Sequence, residues 1–184
     1  MMAMLAHKIE ANTSSKDRTA TDREQSETDR RNKMSALMGE IRTATGNYQG
    51  VRVDAENAVI DFGDRARFAT NDDKLTTEQQ RLLRAFVSEI LTIARGKDGS
   101  QWIKRIVIEG FTDKRGSYLY NLNLSLRRSQ RVLCALLGPP EPGEQPMSQR
   151  EKDDVRRLFL VGGYSSNLSK ASLDESRRIE LSLE

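Results

Sequence analysis

A long polar segment near the N-terminus is the feature that most constrains the fold. Residues 10–33 contain only two apolar side chains, Ala11 and Ala20, and acidic and basic residues alternate along the segment. A segment of this composition cannot bury enough apolar surface to offset the entropy lost on folding. We therefore predict that residues 10–33 form a solvated helix or a disordered tether, two alternatives that the sequence leaves open, and that the globular fold lies after them.

Directly after this segment, apolar residues recur with the period of an α-helix. The stripe allows two interpretations: the helix packs on the domain that follows, or its apolar face stays exposed and mediates dimerisation or regulation near a membrane. The predicted organisation is a tether with a linker helix over residues 1–49 and a globular domain over residues 50–184. The residues on this face are Met34, Leu37, Met38, Ile41, Thr45 and Tyr48.

The supply of catalytic side chains is small. The chain has one cysteine, Cys134, and one histidine, His7, so it cannot build a disulfide framework, a Ser-His-Asp triad or a zinc site made of histidines. We expect Cys134 to be a buried small side chain. No cofactor and no metal site is predicted. Glu109 and Asp113, four residues apart, could form a carboxylate pair that hydrolyses glycan, and an enzyme of this kind is the alternative to a binding domain.

Charge does not favour a nucleic-acid partner. The formal net charge is +3 and the sequence pI is about 9.1, but acidic and basic residues are interleaved along most of the chain. Binding to a phosphate backbone requires a surface of one sign, and no such stripe is visible. We therefore predict no nucleic-acid binding.

Met1–Ala6 is an unbroken apolar run of six residues, and no apolar run in the chain is longer. It is much shorter than the roughly 18–20 apolar residues that cross a bilayer, so the chain as given is expected to be soluble. Two interpretations of this run stay open: it is the last turn of a membrane helix, or it is a cloning scar.

Short apolar runs and helical periodicities alternate through the globular part. Thr76 and Thr77 are suited to cap a helix with a wide apolar face, and residues 139–146 contain all four prolines, which predicts a surface insertion. The order of elements predicts an α+β sandwich, with a mixed sheet of about four strands and helices on one face. The strands are expected near residues 51–54, 58–62, 102–108, 158–161 and 178–183.

The most specific pattern begins in the strand that ends near Gly110. Its order and spacing resemble the OmpA C-terminal-like family of peptidoglycan-binding domains, over roughly residues 57–184. Phe111 stands where that family usually has His or Tyr, and Ser176 where it usually has Asn. The matching runs are Gly110-Phe111-Thr112-Asp113, Gly116-Ser117, Asn121 to Ser125 followed by Arg127-Arg128, and Arg177-Arg178-Ile179-Glu180.

Within this family the chain resembles the MotB-type subunits of ion-driven stators, including those of Zorya anti-phage systems. The resemblance implies a non-catalytic peptidoglycan-binding domain in the periplasm that fixes a motor complex to the cell wall. It also implies a homodimer, anchored in the inner membrane by a helix that this chain lacks and joined there to a channel subunit of the MotA or ZorA type. Residues 34–48 lie where such proteins carry a plug and linker. The alternative is a cell-wall tether of the OmpA outer-membrane or lipoprotein type, outside any motor.

The resemblance also implies how the ligand is held. Peptidoglycan stem peptides often contain meso-diaminopimelate, whose side chain ends in an ammonium and a carboxylate. Asp113 is expected to accept from the ammonium and Arg128 to bind the carboxylate with its planar fork. Alternatively, Asp113 only caps a helix and Arg128 pairs with Glu109 or Asp113 for stability. The further residues expected at the site are Thr112, Gly116, Asn121, Leu124, Ser125 and Arg177, with backbone N–H groups exposed at Gly110 and Gly116.

Overall fold

The computed structural model describes the backbone of residues 2–184 and the side chains of residues 21–184, so the expectations for Met1–Ala6 and His7 lie outside the described side chains. In the described part of the chain, no helix combines the length and the apolar character needed to cross a membrane. The helices are α1 (Met2–Ala44), α2 (Thr77–Arg95), α3 (Lys97–Trp102), α4 (Tyr118–Leu137), α5 (Gln149–Leu158) and α6 (Leu173–Ser176). The strands are β1 (Arg52–Asp54), β2 (Val59–Asp61), β3 (Ile106–Gly110), β4 (Phe159–Gly163) and β5 (Ile179–Leu183).

The strands form one mixed sheet in the order β1-β2-β5-β3-β4. Only β3 and β4 pair in parallel, and the other neighbours are antiparallel. The predicted α+β class is confirmed, while the sheet has five strands where about four were expected. Each of the five strands overlaps a segment in which a strand was expected, including the three-residue edge strand β1, so only the number of strands assigned to the sheet was too low.

One face of the sheet carries the hydrophobic core. Ile106 and Ile108 of β3 lie opposite Leu183 and Leu181 of β5, and all four side chains are buried. This alternation places their neighbours Val107 and Ser182 on the other face. The core is completed mainly by the apolar stripe of α2, which comprises Leu82, Leu83, Phe86, Val87, Ile90 and Leu91, and by Val132 and Leu136 of α4.

The last turns of α1 belong to the same core. Met34, Leu37, Met38 and Ile41 are all buried against the globular domain. Tyr48 continues this contact, with its ring edge-on to Phe86 at 5.2 Å between centroids. The first interpretation of the stripe, a helix packed on the following domain, is therefore confirmed. The expectation of an exposed stripe is wrong, because the helix turns this face towards the domain.

Residues 21–33 of α1 present their side chains to solvent. Every described side chain of residues 21–33 is exposed, and the backbone stays helical throughout. For this part of the polar segment the structure therefore favours the solvated helix over the disordered tether. The continuity of α1 joins this exposed segment directly to the buried turns that follow it.

Two sequence predictions around α2 and α4 have different outcomes. Thr76 caps α2 in a capping box with Gln79, as its position indicated. Cys134, in contrast, is exposed on α4, so the expectation of a buried cysteine is wrong. Its apolar neighbours Val132 and Leu136 face the core instead, and helical geometry turns Cys134 away from them.

Candidate functional site

The candidate site lies where β3 ends and α4 begins. Thr112 and Asp113 follow the strand, and Ser117 caps α4 by accepting a hydrogen bond from the backbone N–H of Tyr120. Gly116 has a φ of +96°, a left-handed conformation that glycine adopts without strain. These features fold the polar loop back over the N-terminus of α4.

Asp113 is held by a dense set of donors. Its Oδ1 accepts from the backbone N–H and the Nε of Arg115, at 3.0 and 3.2 Å. Its Oδ2 accepts from Nη2 of Arg115 at 2.8 Å and from Nη1 of Arg177 at 3.2 Å. These bonds, those of Arg115 first, lower the pKa of Asp113 from its ordinary value of 3.8 to about 2. Asp113 is therefore a fixed anion at neutral pH.

The two cations around Asp113 differ in exposure. The side chain of Arg115 is 52% exposed, whereas that of Arg177 is 10% exposed. Arg177 also donates to the main-chain oxygens of Phe68 and Leu173 and forms an ion pair with Asp174. Arg177 is thus locked in place, and it lies directly before β5.

Arg128 is enclosed by backbone oxygens. Its Nε, Nη1 and Nη2 donate to the carbonyls of Asp72, Phe111 and Ala69, at 3.0, 2.7 and 3.1 Å. Its guanidinium also lies 4.9 Å from the ring centre of Phe68, and the residue is fully buried. Burial, with the nearby charge of Arg177, lowers the pKa of Arg128 to about 10. In this conformation its fork holds the protein's own carbonyls and faces no solvent.

The remaining predicted residues support the loop. The side-chain amide of Asn121 donates to the main-chain oxygen of Asp113 at 3.3 Å, and the Ser125 hydroxyl accepts from the backbone N–H of Ser165 at 3.1 Å. Leu124 and Thr112 are both buried. Within the described residues, the Thr112 hydroxyl has no hydrogen-bond partner, which leaves one buried polar group beside Asp113 unsatisfied.

Gly110 does not expose its backbone, contrary to expectation. It is buried, and a Cβ atom added there would lie 2.0 Å from the main-chain oxygen of Ser125. Glycine at this position allows β3 and α4 to approach closely, which brings Asp113 and Ser125 into one neighbourhood. Gly116, in contrast, is exposed on the loop as predicted.

The two carboxylates of the enzymatic alternative contact different groups. Glu109 accepts from the hydroxyl of Tyr164 at 3.0 Å, and burial raises its pKa, whereas Asp113 is bound to arginines. Glu109 and Asp113 have no hydrogen-bond partner in common among the residues whose side chains are described. Among the described residues, no group of histidine, cysteine and carboxylate side chains is arranged to hold a metal ion.

The structure brings several of the sequence-predicted residues together and adds a half-exposed cation beside them. Asp113, Arg177, Asn121 and Thr112 meet at one place, and Arg128 lies behind them with its charge within electrostatic range of Asp113. Arg115 was not singled out. A basic residue two positions after a motif aspartate, in a loop with glycine, is the signal that could have identified it.

Comparisons with known proteins agree with this architecture. A profile of the OmpA family matches residues 67–138. The Zorya protein ZorB of Escherichia coli O139:H28 (strain E24377A / ETEC) is 38% identical over 185 residues, which cover all of this chain and 75% of that protein.

Two solved structures have a similar fold. The cell wall anchor of the T6SS from Pseudomonas aeruginosa is 20% identical, with a TM-score of 0.52 over 78% of this chain and 94% of that one. A putative MotB like protein from Desulfovibrio vulgaris is 23% identical, with a TM-score of 0.50 over 84% of this chain and 98% of that one. At these identities the two likenesses concern the fold.

Proposed function

Because this chain belongs to the family of the Zorya protein ZorB and contains an OmpA-like domain, we propose that it binds peptidoglycan without cleaving it. The observation that carries the proposal is that Asp113 is ionised and held in a fixed position. It is an anion at the end of β3, held between two guanidinium groups, one of which is half-exposed. Such a carboxylate is suited to accept from the ammonium of a meso-diaminopimelate side chain.

The carboxylate of the same ligand needs a cation close to Asp113. Arg128 is the residue proposed for it, with Arg177 as a second cation. Arg128 reaches a ligand only after the loop that carries Ala69 and Asp72 releases its guanidinium. Thr112, whose buried hydroxyl has no partner among the described residues, offers a further polar contact. Gly116, Asn121, Leu124 and Ser125 complete the proposed site as residues that shape its loop and helix.

In this proposal the domain serves as a cell-wall anchor for a MotB- or ZorB-type motor. The protein lies in the periplasm, is tethered to the inner membrane and assembles with a channel subunit of the ZorA or MotA type. A homodimer is also part of the proposal. Its contact must lie outside the stripe from Met34 to Ile41, because that stripe is buried within one protomer.

Binding is tested with isolated sacculi and with a purified muropeptide that contains meso-diaminopimelate. Asp113→Ala removes the proposed anion and should weaken muropeptide binding about ten- to a hundredfold, as expected for one charge-assisted hydrogen bond. Asp113→Asn should bind nearly as poorly, because the amide keeps the shape without the charge. Asp153→Asn, an exposed aspartate on α5, is the matched control and should bind like the wild type.

Two results would contradict the proposal. Equal affinities of the wild type and Asp113→Ala would mean that Asp113 holds no ligand. Release of soluble sugar from sacculi by the purified protein would favour the enzymatic alternative. To separate a motor anchor from a tether of the lipoprotein or outer-membrane type, the protein is purified from membranes and probed for a co-purifying channel subunit.

A further inference from the structure

The hydrogen-bonding capacity of Asp113 is already filled in the free protein. An ionised carboxylate offers about four lone-pair positions on its two oxygens. In this structure Oδ1 accepts two hydrogen bonds from Arg115, and Oδ2 accepts one from Arg115 and one from Arg177. A ligand ammonium can therefore bind Asp113 only after one of these donors leaves.

The side chain of Arg115 is the donor best able to leave. Arg177 is almost buried, and it would lose its other acceptors, Phe68, Leu173 and Asp174, if it moved. The backbone N–H of Arg115 is fixed by the turn. The guanidinium of Arg115 is half-exposed, and the one further acceptor that the structure records for it, in the described part of the chain, is the hydroxyl of Thr70 at 3.3 Å.

We infer that Arg115 is an internal cation that competes with the ligand for Asp113 and so disfavours ligands that bring an ammonium alone. The inference rests on the proposed role of Asp113 in peptidoglycan binding. The planar guanidinium of Arg115 donates two charge-assisted hydrogen bonds to Asp113. An ammonium that displaces it breaks both bonds and replaces them with those of a more compact cation. A ligand that also carries a carboxylate compensates, because the released guanidinium stays tethered two residues away and can pair with that carboxylate in addition to the cations proposed for it, Arg128 and Arg177.

The chemistry of the ligand follows from this exchange. The side chain of a lysine at the third position of the stem peptide offers only an ammonium, whereas that of meso-diaminopimelate offers both charges. Arg115 should therefore increase the preference of the domain for diaminopimelate over lysine. The released guanidinium needs no backbone movement to leave Asp113, since it is the side chain alone that rotates into solvent.

The test measures the affinities of two muropeptides that differ only in having meso-diaminopimelate or lysine, by calorimetric titration of the full chain. In the wild type, the diaminopimelate form should bind more tightly. Arg115→Ala should tighten binding of the lysine form about two- to fivefold, the range expected for a half-exposed ion pair. The ratio of the two affinities should fall by at least about twofold. Arg115→Lys, which keeps the charge without the fork, should lie between the two proteins.

Lys114→Ala is the matched control, because it removes the same charge from the neighbouring exposed position. It should leave the ratio of affinities unchanged. If Lys114→Ala has the same effect as Arg115→Ala, or if Arg115→Ala leaves the ratio unaltered, Arg115 does not compete for Asp113. If instead Asp113→Ala binds the diaminopimelate form as tightly as the wild type does, the proposed function itself fails. The double variant Asp113→Ala/Arg115→Ala should bind no more tightly than Asp113→Ala.

Discussion

Arg128 ties helix α4 to the end of strand β3, because its Nη1 donates to the main-chain oxygen of Phe111 over 2.7 Å. Phe111 is followed directly by Thr112 and Asp113, so this hydrogen bond fixes the start of the loop that carries the candidate site. The same guanidinium binds the carbonyls of Ala69 and Asp72 and thereby holds the segment before α2 over the strand end. Three parts of the chain thus meet on one buried cation.

We expect Arg128→Ala to lower the free energy of unfolding by about 2–4 kcal/mol, because one buried and two partly buried carbonyls lose their donor. Arg128→Lys should recover only part of this loss, since an ammonium cannot reproduce the planar fork. Urea unfolding followed by circular dichroism measures both values. Arg127→Ala, at the exposed neighbouring position, should change stability by less than about 0.5 kcal/mol. An equally small change in Arg128→Ala would mean that the enclosed guanidinium contributes little to the fold.

Asp113 should make stability depend on pH at the acidic end. Its pKa in the folded protein is about 2, against an ordinary value of 3.8, so its contribution is complete above pH about 4 and is lost as the pH falls towards 2. The wild type should exceed Asp113→Asn in free energy of unfolding by about 2 kcal/mol at pH 7. Denaturant titrations at several pH values test this. A difference that stays constant down to pH 2 would contradict the ionised state of Asp113.

The buried end of α1 should be needed for full stability. Ile41 is completely enclosed, and Ile41→Ala should lower the free energy of unfolding by about 2–5 kcal/mol. Glu40→Ala, on the exposed side of the same helix, is the control and should have little effect. A chain that lacks residues 1–48 should be strongly destabilised, whereas one that lacks residues 1–31 should keep its thermal unfolding temperature within a few degrees. Equal stability of the two truncated chains would mean that the turns from Met34 onwards do not support the core.

Substitution of two glycines by alanine should change the stability of the protein in opposite directions. Gly110→Ala should destabilise the protein severely, because its Cβ would lie 2.0 Å from the main-chain oxygen of Ser125. Gly39→Ala should stabilise it by up to about 1 kcal/mol, since nothing lies within 4 Å of the added atom and alanine favours a helix interior. Thermal unfolding of both variants measures whether each one is less or more stable than the wild type. A tolerated Gly110→Ala would mean that β3 and α4 can separate without loss.

The fold was largely predictable because its signals are local. The cap at Thr76, the proline-rich loop and the apolar period of α2 each follow from a short stretch of sequence. The direction in which the stripe at Met38 and Ile41 faces was not predictable, since periodicity defines a face without naming its partner. The enclosure of the Arg128 guanidinium by main-chain oxygens was not predicted, for a similar reason. Its acceptors Ala69 and Asp72 are main-chain oxygens from a distant loop, and every residue type has such an oxygen.

The uninterrupted path of α1 has a mechanical consequence. Residues 21–33 are helical and exposed, and no proline or glycine separates them from the docked turns that begin at Met34. At a rise of about 1.5 Å per residue, this segment spans roughly 20 Å along the helix axis. Since it has no hinge of the kind that bends helices, it acts as a stiff lever. A force applied near Thr21 would therefore reach the buried side chains of Leu37 and Ile41 as a shear against α2, and the domain would turn with the helix rather than swivel beneath it.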